Sequence, residues 1–474
     1  MRLATLLTTT FLIAAGPAVA GDIVPVVNFS TDLANDLRGL SFAADGKIYV
    51  SGHVGAKPEE TKVVVARFNA DGTIDKSFSD DGWVTLDLAP GRQEASQAVV
   101  ELANGDILVS TNVVDEDKGH SAYLLRFDST GKQIVAPAWG DAEGKFEVVF
   151  GWKNADNAAY PDTEKKPLDA IWNMKIDKSS GEEKLVLAGF GSATNGTGRK
   201  DNDRYVARLN PADGSNDPGF NGGAPFTYHS LAEFPDGGRN ALVEADGSIL
   251  SAGYTNFGDG YGNHVILIRL LPDGTLDKSF GNFVVPAVTT ETLGLKPQPG
   301  VAVFNPFQID GGVSEGYGVA KLADGSYVTT GYGEATAEGK PSTLGYKSSL
   351  GPDLVSFKVL GDKLDPTYGN NGTLALQSEG AGQPTNEERG RNIVGLADGR
   401  TLHVGRYGGN AAVYVLTAAG QLDDAVGEHG IIKLGHPSVD GQLFSAALSS
   451  DGKHIAATTS NSPGGARLIV LEVK

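Results

Sequence analysis

Three arginines recur at one position of a repeated pattern. Arg38, Arg239 and Arg391 each lie eight residues before the glycine of an Asp-Gly turn. A guanidinium presents a planar fork of donors that suits a carboxylate or a phosphate. In one repeat an insertion prevents this position from being identified. In the three other repeats, the residue eight positions before the turn glycine is Gln97, Tyr317 or Phe444.

A second set of polar and aromatic residues comes directly after the second strand predicted in each repeat. Together with the arginines, this set would surround an anionic or sugar-like ligand. The alternative is that each arginine pairs with a nearby acid, because charges near a buried channel are usually paired. The residues of the second set are His53, Asn112, Phe190, Tyr254, Tyr332 and Arg406. The candidate acids are Asp36, Glu94, Asp236 and Glu315.

Seven short turns indicate the elements that position these residues. Each turn follows an alternating apolar run and precedes a β-rich strand such as KIYVSG or SILSAG. Such dipeptides accept the positive φ of tight hairpins at low cost. A third strand follows in every repeat, and in most a second turn and a fourth strand. The turns are Asp45-Gly46, Asn104-Gly105, Ser180-Gly181, Asp246-Gly247, Asp324-Gly325, Asp398-Gly399 and Asp451-Gly452.

Four antiparallel strands repeated seven times, without a credible helix, predict an all-β seven-bladed β-propeller over residues 21–474. The last repeat ends at Lys474 after its third strand, and an extra strand, DIVPVVNF, precedes the first repeat. We therefore expect the N-terminal strand to complete the last blade and close the ring, because closure removes open sheet edges.

One stretch is spelled almost identically twice, as RFNADGTIDKSF at 67–78 and as RLLPDGTLDKSF at 269–280; RLNPADGSNDPGF at 208–220 is a third version. These stretches resemble the delta-60 repeat family of exported bacterial β-propeller proteins. The resemblance covers most of the mature chain and is strongest in blades 1, 3 and 4; blade 2 lacks the Asp after the turn. It implies the propeller fold and export, but no single activity or catalytic residue.

Acids follow the second turn of several repeats, namely Asp75, Asp217, Asp277, Asp365 and Asp423. They suit either a calcium loop or a structural role as turn-capping groups. No site has the full oxygen spacing of a known calcium loop, so the structural role is favoured and no cofactor is identified. Basic residues end the third strands and are expected to pair with these acids or with carbonyls. They are Arg67, Arg126, Arg208, Arg269 and Lys358.

The first twenty residues are typical of a signal peptide. Arg2 precedes the apolar stretch 3–15, and Ala18-Val19-Ala20 is a small-residue cleavage site. The chain has no cysteine and a formal charge of −19. That charge argues against nucleic acid as a partner, and no later stretch is long enough to insert into a membrane. We expect a periplasmic or secreted protein cleaved near Ala20.

Loop lengths differ between the two faces of the predicted ring. One face has tight turns, and the other has long segments, such as 152–168, 288–317 and 331–353. Long loops on a rigid scaffold often carry binding function. The favoured hypothesis is a binding module that takes a small ligand, with an anion as one candidate, or a partner protein on its long-loop face. The alternatives are a metal-dependent hydrolase or lyase with its site at the channel, and an envelope structural or adhesive scaffold. No HExxH motif occurs, and whether the protein is an enzyme stays open.

Overall fold

The computed structural model describes residues 23–30, 36–55, 57–115, 119–150, 168–193, 201–228, 234–258, 261–285, 294, 296–307, 312–334, 351–376, 388–434, 441–460 and 465–473. The predicted signal peptide and most of the predicted long loops, including 152–167 and 335–350, lie outside these residues. Thirty-one strands and two short 3-10 turns, Pro58–Glu60 and Asn221–Gly223, form the described part.

The strands form seven sheets, which are the blades of a β-propeller. The N-terminal strand β1 (Ile23–Ser30) belongs to the last of them. Blade 1 comprises β2 (Asp36–Phe42), β3 (Ile48–Val54), β4 (Lys62–Phe68) and β5 (Trp83–Leu86). Blade 2 comprises β6 (Gln93–Glu101), β7 (Ile107–Asp115), β8 (Gly119–Phe127), β9 (Gln133–Ile134) and β10 (Phe146–Val148). Blade 3 comprises β11 (Ala170–Asp177), β12 (Lys184–Ser192), β13 (Asn202–Leu209) and β14 (Phe226–Tyr228).

Blades 4 and 5, like blade 2, each carry one additional short strand. Blade 4 comprises β15 (Asp236–Val243), β16 (Ile249–Asn256), β17 (Asn263–Leu270), β18 (Phe283–Val285) and β19 (Val301–Phe304). Blade 5 comprises β20 (Val313–Lys321), β21 (Tyr327–Glu334), β22 (Asp353–Leu360), β23 (Lys363–Leu364) and β24 (Thr373–Leu376). Blade 6 comprises β25 (Arg389–Gly395), β26 (Thr401–Tyr407), β27 (Asn410–Leu416) and β28 (Ile431–Lys433). Blade 7 comprises β29 (Gln442–Leu448), β30 (His454–Ser460), β31 (Arg467–Val473) and β1.

The first strand of each blade lies innermost. The strands β2, β6, β11, β15, β20, β25 and β29 contact one another in succession, and β29 contacts β2 again. Apolar residues of neighbouring blades bury one another, as Leu37 of blade 1 does with Ala456 and Leu468 of blade 7. The predicted all-β, seven-bladed β-propeller is therefore confirmed. Strand β1 pairs antiparallel with β31, with Ile23 opposite Val473 and Ser30 opposite Arg467.

The corner after the third strand is built alike in most blades, as its repeated spelling indicates. Arg67 Nε lies 2.7 Å from a carboxylate oxygen of Asp75, whose other oxygen accepts hydrogen bonds from the Ser77 amide at 3.0 Å and hydroxyl at 2.6 Å. The Arg208–Asp217 pair has the same 2.7 Å separation. Arg269 pairs with Asp277, and Lys358 pairs with Asp365 at 3.0 Å. The predicted structural pairing is thus confirmed in these four blades.

Two blades vary the corner. In blade 2, which lacks the repeat acid, Arg126 pairs with Asp106 at 2.7 Å and donates to the carbonyls of Pro211 and Ala212. In blade 6, Asp423 is paired with Arg400 at 3.1 Å. At these six corners a cation holds the turn by charge-assisted hydrogen bonds, even where the acid or the cation comes from another element.

Candidate ligand-binding site at the channel mouth

Every innermost strand contains a β-bulge at the same place. The pairing of β2 with β3 shifts between Leu37 and Gly39, and the other six first strands shift at the equivalent point. A bulge leaves an extra residue unpaired and re-aims its side chain. We call the bulged residues the mouth layer. They are Arg38, Gln97, Trp172, Arg239, Tyr317, Arg391 and Phe444.

Trp172 is the member that the sequence did not place. It precedes the glycine of its turn, Gly181, by nine residues, whereas the other six precede theirs by eight. The stretch between the bulge and the turn glycine is therefore one residue longer in blade 3, and counting back eight residues from Gly181 stops at Asn173, one position short of the bulge.

A glycine near the end of the second strand makes room for the bulge in five blades. A Cβ on Gly52 would lie 1.8 Å from the carbonyl oxygen of Asp36, and one on Gly331 would lie 1.9 Å from that of Glu315. Gly189, Gly253 and Gly405 would meet the equivalent carbonyl at 1.9, 1.9 and 1.6 Å. These glycines are the last letters of KIYVSG and its counterparts, so the sequence did contain a signal for the bulge.

The mouth layer alternates guanidinium groups with aromatic rings. The Arg239 guanidinium carbon lies 4.0 Å from the ring centroid of Trp172 and 5.2 Å from that of Tyr317. The Arg391 guanidinium carbon lies 4.3 Å from the centroid of Tyr317. Arg38 lies over Phe444 at 5.0 Å, and Arg391 approaches the same ring at 6.0 Å. Each such contact contributes about 0.5–2 kcal/mol, and together the contacts hold the arginines and rings in one alternating layer.

The three arginines differ in their polar partners. Arg38 pairs with Asp36 at 2.7 Å, and Arg239 pairs with Glu315 at 3.3 Å. The Nε group of Arg391 donates to the amide oxygen of Gln442 at 2.8 Å. Within the described part of the chain Arg391 forms no ion pair. Pairing with an acid, the alternative raised by the sequence, is therefore correct for Arg38 and Arg239 but not for Arg391.

The two remaining candidate acids have other roles. A carboxylate oxygen of Glu94 accepts a hydrogen bond from the Ala89 amide at 2.6 Å. Asp236 lies near the fully buried Arg204, where burial lowers the pKa of the guanidinium to about 10 and the charge of Asp236 opposes that shift. Their assignment to the mouth arginines was wrong, because the partners sit two residues before a bulge, in the same blade or the next.

The pKa values of Arg391 and Arg239 are shifted in opposite directions. Burial disfavours the charge on both guanidiniums. For Arg239, the interactions with Tyr317 and Glu315 outweigh burial and raise its pKa. For Arg391, burial lowers the pKa, the neighbouring Arg389 lowers it further, and Tyr317 offsets only part of the shift. Arg391 is 9% exposed, so its charge is held almost out of water without a carboxylate among the described residues.

The second set of predicted residues lies within the second strands, not after them, because those strands run further than expected. Tyr254 and Tyr332 complete the layer: the guanidinium carbon of Arg239 is 5.1 Å from the ring centroid of Tyr254, and that of Arg391 is 5.5 Å from the centroid of Tyr332. Phe190 packs against Trp172 at 6.5 Å. Arg389, which the sequence did not single out, lies over Tyr332 at 4.8 Å.

Four predicted residues lie outside this stack. Asn112 exchanges hydrogen bonds with the backbone of Ile171 at 2.9 and 3.0 Å and so joins blades 2 and 3. His53 is opposite Asp36, and burial lowers the pKa of its imidazole. Gln97 is buried, with its amide oxygen unpaired among the described residues. Arg406 is opposite Arg389 in the blade 6 sheet.

Metal-binding clusters and membrane-spanning helices are both absent from the described residues. Among the residues that the structure describes, no group of three or more His, Asp or Glu side chains is arranged to hold a metal ion. The described residues also contain no helix of the length and apolarity required to cross a membrane.

Comparison with known proteins supports the fold. The family model described as "Domain of unknown function (DUF5122) beta-propeller" matches residues 43–78 and 244–280, which contain the two nearly identical corners of blades 1 and 4. No curated protein matches the sequence.

Several solved structures resemble the chain at low identity. A protein of unknown function from Dyadobacter fermentans DSM 18053 is 12% identical, with a TM-score of 0.43, over 96% of this chain and 100% of that one. A glucose dehydrogenase is 13% identical, with a TM-score of 0.38, over 79% and 95%. The C-terminal WD40 domain of Sif2 is 8% identical, with a TM-score of 0.42, over 96% and 99%. Similarities of this size carry no argument about activity or ligand.

Proposed function

We propose that this protein is an exported, soluble propeller of the delta-60 repeat type that binds a small anionic ligand at its mouth layer. The observation that carries the proposal is the state of Arg391. Its guanidinium is almost fully buried, has an amide partner where a carboxylate is usual, and lies near a second arginine, Arg389. An uncompensated buried charge is strongly unfavourable, and a bound anion would compensate it.

The stacking geometry favours a planar or tetrahedral anion. Aromatic rings pack against the guanidinium groups of Arg239 and Arg391, whose N–H donors lie in the plane of the guanidinium. Donors arranged in this way match a carboxylate or phosphate oxygen pair. The rings of Trp172, Tyr317 and Tyr332 provide apolar surface beside the donors, which suits the body of an organic acid or a sugar acid. We infer that the ligand is a small organic anion, met in the periplasm or outside the cell.

Thermal unfolding with and without anions tests this proposal. We expect the melting temperature of the wild-type protein to rise when sulfate, phosphate or citrate replaces chloride at equal ionic strength, because a ligand of the folded state stabilises it. Arg391→Gln should abolish most of that rise, and binding should weaken by about 1.5–3 kcal/mol, the value of a hydrogen bond to a charged group.

Arg67→Gln is the matched control, since it removes an arginine that is fully paired at a corner. This variant should melt lower under all conditions but keep the anion-induced rise. A wild-type protein indifferent to every anion tried, together with an Arg391→Gln variant that is destabilised without anions, would overturn the proposal.

A further inference from the structure

Lys175 is a charged residue on the innermost strand of blade 3 that the proposed anion site does not use. It lies three residues after the bulged Trp172 on β11, which is roughly 10 Å further along the channel at the usual rise of a strand. Strand alternation puts it on the same side of β11 as Asn173, whose side chain accepts a hydrogen bond from the Ala241 amide of the next innermost strand at 3.3 Å. Lys175 therefore projects among the innermost strands.

No other first strand carries a charged side chain at the level of Lys175. The residue three positions after the bulge is small or apolar in each of the other six blades, and several of these residues pack into the apolar clusters between blades. Lys175 is solvent-exposed, whereas none of those six residues is. Lys175 lies inside β11 and not at its end, and an exposed side chain in the interior of an innermost strand opens toward the central channel. The six equivalent residues are Ser41, Val100, Leu242, Ala320, Val394 and Ala447.

Charged groups one position nearer to the tight turns are already paired. Glu101 accepts a hydrogen bond from the Ala44 amide at 2.7 Å, and Lys321 pairs with Glu244. Asp177, two residues along β11, pairs with Arg208 at 3.3 Å. Among the described residues, the side chain of Lys175 has neither an ion pair nor a hydrogen bond.

Enclosure by protein affects the protonation of this amine. Burial lowers the pKa of Lys175, and no neighbouring charge opposes the shift. Exposure to water and a lowered pKa are compatible, because water confined in a channel solvates an ammonium ion less well than bulk water does. The Lys175 amine is thus neutral more often than the amine of a surface lysine, and a neutral amine is a nucleophile.

We propose that Lys175 is a carbonyl-reactive site, at which the amine condenses with the aldehyde group of a small molecule that enters the channel. The nitrogen attacks the carbonyl carbon and forms a C–N bond. The C–O bond then breaks as the C=N bond forms; the nitrogen gives up both of its protons, and the oxygen leaves with two protons as water. The step needs no oxidant or reductant, and the lack of another charged side chain at this level of the first strands favours a small uncharged aldehyde.

Trapping the imine tests this inference. The full-length folded protein is treated with propanal and cyanoborohydride at pH 7, and each lysine is followed by peptide mass spectrometry over time. Lys76 and Lys278 serve as internal references because both are exposed on the outer surface. We expect Lys175 to be alkylated roughly threefold faster or more than either reference, since only the neutral amine reacts.

Two further samples make the result decisive. Lys175→Arg keeps the positive charge and forms no trapped imine, so the fast-reacting peptide should disappear while Lys76 and Lys278 react as before. In urea-unfolded protein, Lys175 should react at the rate of the references. The proposal is overturned if Lys175 in the folded protein reacts at the rate of the references or more slowly. Its outcome does not depend on the anion site, because Arg391→Gln should leave the labelling of Lys175 unchanged.

Discussion

The arginines at the corners and the arginines of the mouth layer are held in different ways. At the corners, Arg67 and Arg208 each pair with a repeat acid at 2.7 Å, and the same arrangement recurs from blade to blade. In the mouth layer, arginines stack on rings and their polar partners vary from an acid to an amide. A residue whose charge is always balanced by its own repeat stabilises the fold. An arginine whose charge is not balanced by a carboxylate among the described residues, such as Arg391, is available to a ligand.

Opening the ring should have the largest effect, because both groups of arginines depend on it. Deleting the β1 strand, residues 23–30, would leave β31 with an unpaired edge. We expect a loss of several kcal/mol in the free energy of unfolding, from lost ladder hydrogen bonds and burial. Denaturant unfolding checks this. Unchanged stability and solubility after the deletion would show that β1 has no part in closing the ring.

Breaking one corner pair should cost about 3 kcal/mol, as expected when one partner of a buried ion pair is removed. Asp75→Asn leaves Arg67 without its carboxylate. Asp80→Asn is the control, because Asp80 is an exposed acid with a positive φ that asparagine tolerates. Urea denaturation of both variants measures the difference. Equal stabilities would mean that the repeated pair has no structural role.

Low pH should remove the stabilisation that the Arg67–Asp75 pair provides. Burial raises the pKa of Asp75, but hydrogen bonds from Ser77 and Lys47 and the charge of Arg67 outweigh it, so the pKa in the folded protein is below its ordinary value. The stabilisation is therefore present above the pKa of the unfolded chain and is lost as the pH falls through the folded value. We expect the stability gap between wild type and Asp75→Asn to narrow below about pH 4. A gap that stays constant to pH 2 would contradict this.

The mouth layer itself should respond unequally to loss of charge. Arg239→Gln leaves Glu315 without its ion pair and should destabilise the ligand-free protein by about 1–3 kcal/mol. Arg391→Gln removes a buried charge that lacks a carboxylate partner, so the ligand-free protein should be equally stable or more stable. Paired denaturation curves measure both. If the two variants lost the same stability, the distinction between balanced and unbalanced arginines would fail.

Distorting a bulge should act on the site more than on the fold. A Cβ at Gly331 would collide with the backbone of Glu315, and overpacking of this kind costs about 1–3 kcal/mol. Gly331→Ala should also displace Tyr317 and reduce the anion response. Gly219→Ala is the control, because its Cβ would meet its nearest neighbour at an ordinary 3.4 Å. An unchanged anion response in Gly331→Ala would separate the bulge from binding.

The repeat pattern made the fold and the level of the mouth layer predictable from the sequence. Turn glycines at regular offsets located six of the seven bulged residues, since each blade uses the same first hairpin. Trp172 was missed because a single inserted residue shifts that count in blade 3. The glycines opposite the bulges were visible in the sequence, but their meaning depends on a backbone contact that appears only in the folded sheet.

The partners of the arginines were not predictable in the same way. Arg239 and Arg391 reach Glu315 and Gln442 in the following blade, at separations of 76 and 51 residues. Glu315 was among the four candidate acids, but sequence proximity to Arg239 favoured Asp236, whose charge acts on Arg204. Pairing across blades depends on the ring geometry and on how each bulge aims its side chain, and neither can be read from a local pattern.

An anomalous-difference map of crystals soaked in selenate tests the difference between the corner arginines and the mouth-layer arginines most directly, because one map reports on both groups. We expect a selenium peak within hydrogen-bonding distance of Arg391 and none at the corner arginines Arg67, Arg208 and Arg269. A map with no peak at Arg391, or with peaks of equal height at the corners, would contradict it.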